Sequence, residues 1–136
     1  MAIQGGCYCG AVRYEVEGDA MMKGQCFCRE CQHNTGGGAA YIMGVPEAGF
    51  AYTQGAPKAF RRSDLDNAVT REFCGDCGAP LTTRAPGMAG AVMIKVGSLD
   101  DPSNAFGQPQ MVIFTAEMQP YHQLPEGIPS FPGFPG

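Results

Sequence analysis

The sequence predicts a mainly β domain stapled by metal, with little helix. Three observations carry that expectation. The chain holds 20 glycines and 11 prolines against a charged fraction of 16%, a composition suited to short strands joined by turns rather than to helical bundles. Apolar stretches of strand length recur at intervals of roughly 8–15 residues, with almost no helical periodicity. All seven cysteines lie within the first 77 residues, in three groups: Cys7/Cys9, Cys26/Cys28/Cys31 and Cys74/Cys77.

The elements follow in order. Residues 11–17 alternate, with Val12, Tyr14 and Val16 on one face and Arg13 and Glu15 on the other. That is a half-buried strand, ended by Gly18-Asp19. Residues 29–34 suit one helical turn after the middle cysteines, broken by Thr35 and the three glycines that follow it. Strands are expected over 39–45 and 50–53 around a turn at 46–49, and over 58–62 and 69–73 around a turn at 63–67. Further strands fall at 80–83, 91–96 and 111–115. The set reads as an antiparallel, all-β or mainly β domain. No repeat of 20–50 residues is present. The length fits one domain over 1–136. Residues 129–136 are too rich in Pro and Gly for a ladder and read as an extended C-terminal arm. Burying Phe131 and Phe134 in a groove would gain about 1.5–3 kcal/mol each.

Composition also excludes. No window approaches the roughly 20 apolar residues of a membrane span. The first residues lack the basic region and apolar stretch of a secretory signal, which makes a cytoplasmic protein with reduced thiols the expectation. A net charge of −4 argues against a nucleic-acid surface. Disulfides between CxC or CxxC neighbours would close tiny loops and leave one thiol over. The spacings do not match those of ferredoxin clusters.

Zinc remains. Two closed four-cysteine sites would take eight thiols, one more than the chain has. The segment Phe73-Cys74-Gly75-Asp76-Cys77-Gly78 reads as a zinc knuckle, its glycines letting backbone N–H groups turn toward the thiolates. Cys7 and Cys9, placed at i and i+2 on an expected strand, are its natural partners. The closed site is therefore Cys7, Cys9, Cys74 and Cys77. It leaves Cys26, Cys28 and Cys31 as a tripod, with a fourth position open to water or a substrate thiol. The competing possibility is a second closed site completed by His33 or by a carboxylate from elsewhere. His122 reads as a loop-packing residue.

These motifs resemble a known family. GGCxCGxVxYE (Gly5 to Glu15), CxCRxCQ before a Gly-rich turn (Cys26 to Gly38) and FCxxCGxxL (Phe73 to Leu81) are similar to the glutathione-dependent formaldehyde-activating enzymes, which include centromere protein V. The stretches 96–102 and 124–129 resemble it too. The resemblance implies an Mss4-like antiparallel β fold with two zinc ions per chain. It implies structural-zinc ligands at Cys7, Cys9, Cys74 and Cys77, and catalytic-zinc ligands at Cys26, Cys28 and Cys31. It also implies a carbon–sulfur lyase that handles S-(hydroxymethyl)glutathione, formed from glutathione and formaldehyde. Phe27 stands where members often carry His, and Thr35 where Ser is common. Arg29, beside the tripod, is a candidate to hold a substrate carboxylate, with Arg61, Arg62 and Arg71 behind it. Tyr41, Tyr52 and Tyr121 are possible acids. Two other readings stand beside the lyase: the same zinc chemistry on another thiol or small electrophile, and a non-catalytic zinc scaffold for protein partners.

Overall fold

A computed structural model describes residues 2–135. Its strands are β1 (Ile3–Gly6), β2 (Arg13–Val16), β3 (Met22–Cys26), β4 (Ala40–Pro46), β5 (Phe50–Gln54), β6 (Lys58–Phe60), β7 (Thr70–Phe73), β8 (Pro80–Arg84), β9 (Ala91–Lys95) and β10 (Met111–Ile113). Two short helices, α1 (Arg29–Thr35) and α2 (Pro102–Ala105), complete the regular structure together with a few 3-10 turns. The protein is mainly β, as the composition predicts. A three-stranded sheet has the order β1-β2-β5, and a seven-stranded sheet the order β10-β3-β4-β9-β8-β7-β6. Every pairing is antiparallel except that of β10 with β3, which runs parallel.

The sheets meet through apolar faces. Tyr14 and Val16 of β2 pack with Met43 and Val45 of β4 and with Val92 and Ile94 of β9. Tyr14 stacks on Phe50, ring centres 5.3 Å apart. Its hydroxyl lies 2.6 Å from Ser98 Oγ. Ser98 in turn donates to the Lys95 carbonyl at 2.7 Å, so Tyr14 is the donor of the first bond. A Cβ at Gly5 would lie 2.3 Å from the Tyr14 oxygen, so β1 must carry glycine where Tyr14 crosses it. This explains why β1 and β3 escape sequence reading: Ile3-Gln4-Gly5-Gly6 and Met22-Lys23-Gly24-Gln25-Cys26 lack β-branched alternation, and their glycines admit neighbouring side chains.

A half-buried carboxylate, that of Glu72, ties the sheets together on the same side. Glu72 accepts from Tyr52 of the small sheet at 2.8 Å and from Thr82 of the large one at 2.6 Å, with Arg84 Nε at 3.3 Å. Burial alone would raise the Glu72 carboxyl. The Thr82 and Tyr52 hydroxyls and the Arg84 charge outweigh it and hold the group below its ordinary value.

The other face of the large sheet holds a second apolar cluster, built on Cys26, Cys31, Ala40, Ile42 and Ile113. Helix α1 packs on it. The C-terminal segment runs beside β10: Val112 donates to Pro129 O and Phe131 to Val112 O, both at 2.9 Å, and Phe114 to Gly133 O at 3.2 Å. Phe131 packs against the cluster. Phe134 stays 53% exposed, with its ring edge-on to Phe114 at 6.1 Å. β10 stops at Ile113 because Phe114 takes a left-handed φ of 59°. Among the described residues no helix is long and apolar enough to cross a membrane.

Candidate metal centres

The four outer cysteines sit on two facing turns of similar construction. Cys74 donates to Ala79 O at 3.0 Å and accepts from Gly78 at 2.8 Å, with Gly78 at φ 78°. Cys7 donates to Val12 O at 3.0 Å and accepts from Gly10 at 3.3 Å, with Gly10 at φ 83°. The expected strand placement of Cys7 and Cys9 is therefore corrected: β1 ends at Gly6, and the pair lies on the reversal into β2. The sulfurs converge because this turn wraps them inward, rather than through the period of a strand.

All seven thiols are free of disulfides. The Sγ atoms of Cys7, Cys9, Cys74 and Cys77 lie within 4.8 Å of one another. Cys7–Cys9 is 3.7 Å and Cys9–Cys74 is 3.8 Å. A tetrahedral ion with sulfur at about 2.3 Å has sulfur–sulfur edges of about 3.8 Å, so the set fits zinc in both donor chemistry and size. Backbone N–H groups of Val12 (3.2 Å, to Cys7) and of Asp76 and Cys77 (3.4 Å each, to Cys74) point at the sulfurs. Crowding splits the thiols. Burial works against Cys7, yet the Val12 N–H and the thiols of Cys74 and Cys9 bring it down to about 6. Cys9 has the Ala11 N–H in its favour, but the crowding by Cys7 and Cys74 pushes it up to about 12. Full ionisation of such a set calls for a cation among the four sulfurs.

The tripod forms where β3 runs into α1. Cys26 ends the strand, and Cys28 caps the helix, its sulfur accepting the Cys31 N–H at 3.3 Å. Cys31 lies in the first turn of that helix. The three sulfurs lie within 4.8 Å of one another, and no fourth His, Cys, Asp or Glu joins them among the described residues. Three soft donors on one side of a cavity fit zinc as well. Thiol hydrogen bonds from Cys26 and Cys31 hold Cys28 far below its ordinary value, and the same contacts drive Cys26 far above. Arg71 adds to the lowering of Cys28.

Gln32 braces this corner and drew no attention as a site residue in the sequence. It is buried and donates to Phe27 O at 2.7 Å and to Glu117 O at 2.8 Å. His33 is exposed, and it lines a groove with Phe60 and Arg71 instead of joining the tripod. His122 packs on Phe27 at 4.8 Å. Its Nδ1 accepts from Gln119 at 2.9 Å, which leaves the proton on Nε2, 2.7 Å from Gly37 O. Both ring nitrogens are thus engaged within the protein.

The tripod opens on a cavity of 360 Å³. Register explains its floor. Ile113 faces Cys26, Lys95 faces Ile42, and Thr83 lies opposite both Arg71 and Met93. All seven side chains lie on one face of the large sheet and line the cavity. Arg29 is in the wall, but its guanidinium is tied to Gln32 Oε1 and its N–H to Glu117 at 2.9 Å. Arg71 is paired with Glu30 at 2.7 Å. Arg61 and Arg62 bind the turn that follows them, at Asp66 O and Asp64, away from the cavity. Tyr52 is spent on Glu72, Tyr121 donates to Gly37 O at 2.9 Å, and Tyr41 lines a different, larger cavity of 660 Å³ beside Cys7.

Two floor residues were missed by sequence reasoning. Lys95 is 9% exposed and makes no ion pair or hydrogen bond through its side chain among the described residues. Burial pushes its ammonium below the ordinary range, while the sulfur of Cys31 pulls the other way. Thr83 is 8% exposed, and its hydroxyl has no partner among the described residues. The available signal was a lone lysine ending the apolar run Ala91-Val92-Met93-Ile94.

Known proteins resemble this chain in sequence and in fold. The family model of the glutathione-dependent formaldehyde-activating enzyme matches residues 2–117. A Halomonas elongata protein described as "Putative glutathione-dependent formaldehyde-activating enzyme" is 29% identical over 86 residues, 60% of this chain and 55% of that one. The alignment therefore spans little more than half of that relative's length. A crystal structure of a Rhodobacter sphaeroides protein superposes with a TM-score of 0.59 at 19% identity, over 71% of this chain and 87% of that one. At such identity the likeness is one of fold. With a family match over most of its length, and with both of its cysteine clusters assembled in space, the chain belongs to the glutathione-dependent formaldehyde-activating enzyme family.

Proposed function

We propose that the protein is a zinc-dependent carbon–sulfur lyase that joins a thiol such as glutathione to formaldehyde, giving S-(hydroxymethyl)glutathione, or releases them again. The observation that carries this reading is the tripod: three sulfurs on the wall of a cavity, with no fourth side-chain donor among the described residues. Cys26, Cys28 and Cys31 would hold the catalytic ion, and Cys7, Cys9, Cys74 and Cys77 a structural one. When bound at the tripod, zinc supplies a position at which a thiol gives up its proton well below the usual value of about 8.5.

The chain's own residues do the rest. Gln32 and the Cys28 cap fix the loop, so the three sulfurs keep their spacing as a substrate enters. Ile42, Met93, Ile113 and Phe114 give the cavity apolar walls that limit the water around a reacting sulfur. Phe134 stands at its edge. The volume of 360 Å³ is near the lower end of ligand pockets, about 300–1,000 Å³. That size favours, as a second reading, a thiol shorter than glutathione.

The test is exchange spectroscopy of glutathione with formaldehyde. The zinc-loaded protein should speed adduct formation, and Cys28→Ser should abolish that effect while keeping the native thermal transition. A wild-type protein that leaves the exchange rate unchanged would remove the formaldehyde reading.

A further inference from the structure

We propose that Lys95 and Thr83 form a carbonyl-oxygen subsite, which holds the oxygen of a small aldehyde while a sulfur docked at the tripod attacks its carbon. This rests on the thiol-plus-aldehyde reading above and supplies the donor that reading lacks. Three thiolates around one dication leave it a weak Lewis acid, so polarisation of the carbonyl has to come from elsewhere.

The floor of the cavity provides it. Thr83 faces Met93 across the β8–β9 ladder, and Lys95 lies two residues beyond Met93 on the same face. Both therefore look into the space that the tripod borders. They are the two polar floor groups the fold leaves unused. Glu30 is engaged by Arg71, and Glu117 by the Arg29 N–H, so neither acid of the wall is bonded to Lys95. A buried hydroxyl with no partner costs free energy unless something outside the fold uses it. A neutral carbonyl oxygen suits Thr83, and an oxygen gaining negative charge suits Lys95.

The charge balance supports the same assignment. In the addition a carbon–sulfur bond forms, and the carbonyl π pair moves onto oxygen. One negative charge is transferred from sulfur to oxygen and none is created. The proton the thiol lost to solvent returns from solvent to that oxygen, so the net reaction is thiol plus aldehyde to hydroxyalkyl thioether. A cation and a hydroxyl donor fixed near the oxygen favour the charge after its transfer over the charge before it.

The competing role for Lys95 is a plain counter-charge to the three sulfurs. Thiol affinity and adduct chemistry separate the two. Zinc content, glutathione affinity by calorimetry, and exchange of glutathione with carbon-13 formaldehyde by NMR would be measured on wild type, Lys95→Met, Lys95→Arg and Thr83→Val. At stoichiometric protein, the same spectra give the fraction of formaldehyde held as bound adduct. Lys95→Met is expected to keep its zinc and to bind glutathione within about twofold of wild type, while the exchange rate falls about 10²–10³-fold. The bound adduct fraction should fall with it, and Lys95→Arg should restore part of both. Thr83→Val, nearly isosteric, should lower the rate about tenfold with unchanged thiol affinity. An unchanged rate in Lys95→Met, or a loss of glutathione affinity equal to the loss of rate, overturns the subsite alone. A wild-type protein that binds glutathione but accelerates nothing overturns the formaldehyde reading and the subsite with it.

Discussion

Thr83 and Gly5 show how much a single position can carry here. Thr83 keeps an unpartnered hydroxyl in a buried strand. Thr83→Val should therefore raise stability by about 1 kcal/mol, read from the denaturant midpoint, because it removes a desolvated polar group and keeps the shape. A destabilised Thr83→Val would mean that the hydroxyl is satisfied within the fold. Gly5 has the opposite constraint: any Cβ there meets the Tyr14 hydroxyl and the Ser98 carbonyl. Gly5→Ala should cost about 1–3 kcal/mol through overpacking, seen as a lower midpoint at constant slope. A neutral Gly5→Ala would show that Tyr14 can leave its bond to Ser98 freely. Neither effect is readable in sequence, where Thr83 is one of two adjacent threonines and Gly5 one of two adjacent glycines.

At the scale of elements, the two cysteine sites should fail differently. Cys74 is buried in a turn that faces another turn 65 residues away, so Cys74→Ser removes a cross-link of the fold. Structural zinc in small domains contributes on the order of 10 kcal/mol of folding free energy. Cys74→Ser should accordingly yield an unfolded or aggregating protein, whereas Cys28→Ser should retain a cooperative thermal transition. Equal damage in both would contradict the division into closed and open sites. Glu72 ties β5 to β7 and β8, and its pKa lies below that of an unfolded glutamate, about 4.3. A lowered folded pKa gives stability that is present above the unfolded value and lost as pH falls through the folded one. The melting-temperature gap between wild type and Glu72→Gln should thus be full at neutral pH and shrink below about pH 4. A gap that holds constant through that range would contradict the shifted carboxylate. Legibility also divides at this scale. Strand β2 shows itself through strict alternation of Val12, Tyr14 and Val16, while β1 and β3 are hidden because glycines make room for neighbours. The thiol groups announce themselves by spacing, yet the turn that carries Cys7 and Cys9 mimics the start of a strand.

For the whole molecule, register decides what spacing cannot. Lys95, Thr83 and Arg71 come from three strands, and their approach to Cys26 depends on how β7, β8, β9, β4 and β3 align. Nothing local to any one of them signals that meeting. The large sheet divides the labour: one face makes the core with the small sheet, and the other makes the cavity under α1 and the C-terminal segment. The two cysteine clusters sit at different places on this frame, one joining two facing turns and one bordering the cavity. Native mass spectrometry of the zinc-loaded protein in the presence of glutathione tests that arrangement most directly. The expected result is two zinc ions per chain with one glutathione bound, falling to one zinc and no glutathione in Cys28→Ser. A single ion in the wild-type chain, or two ions that never take up a thiol, would contradict it.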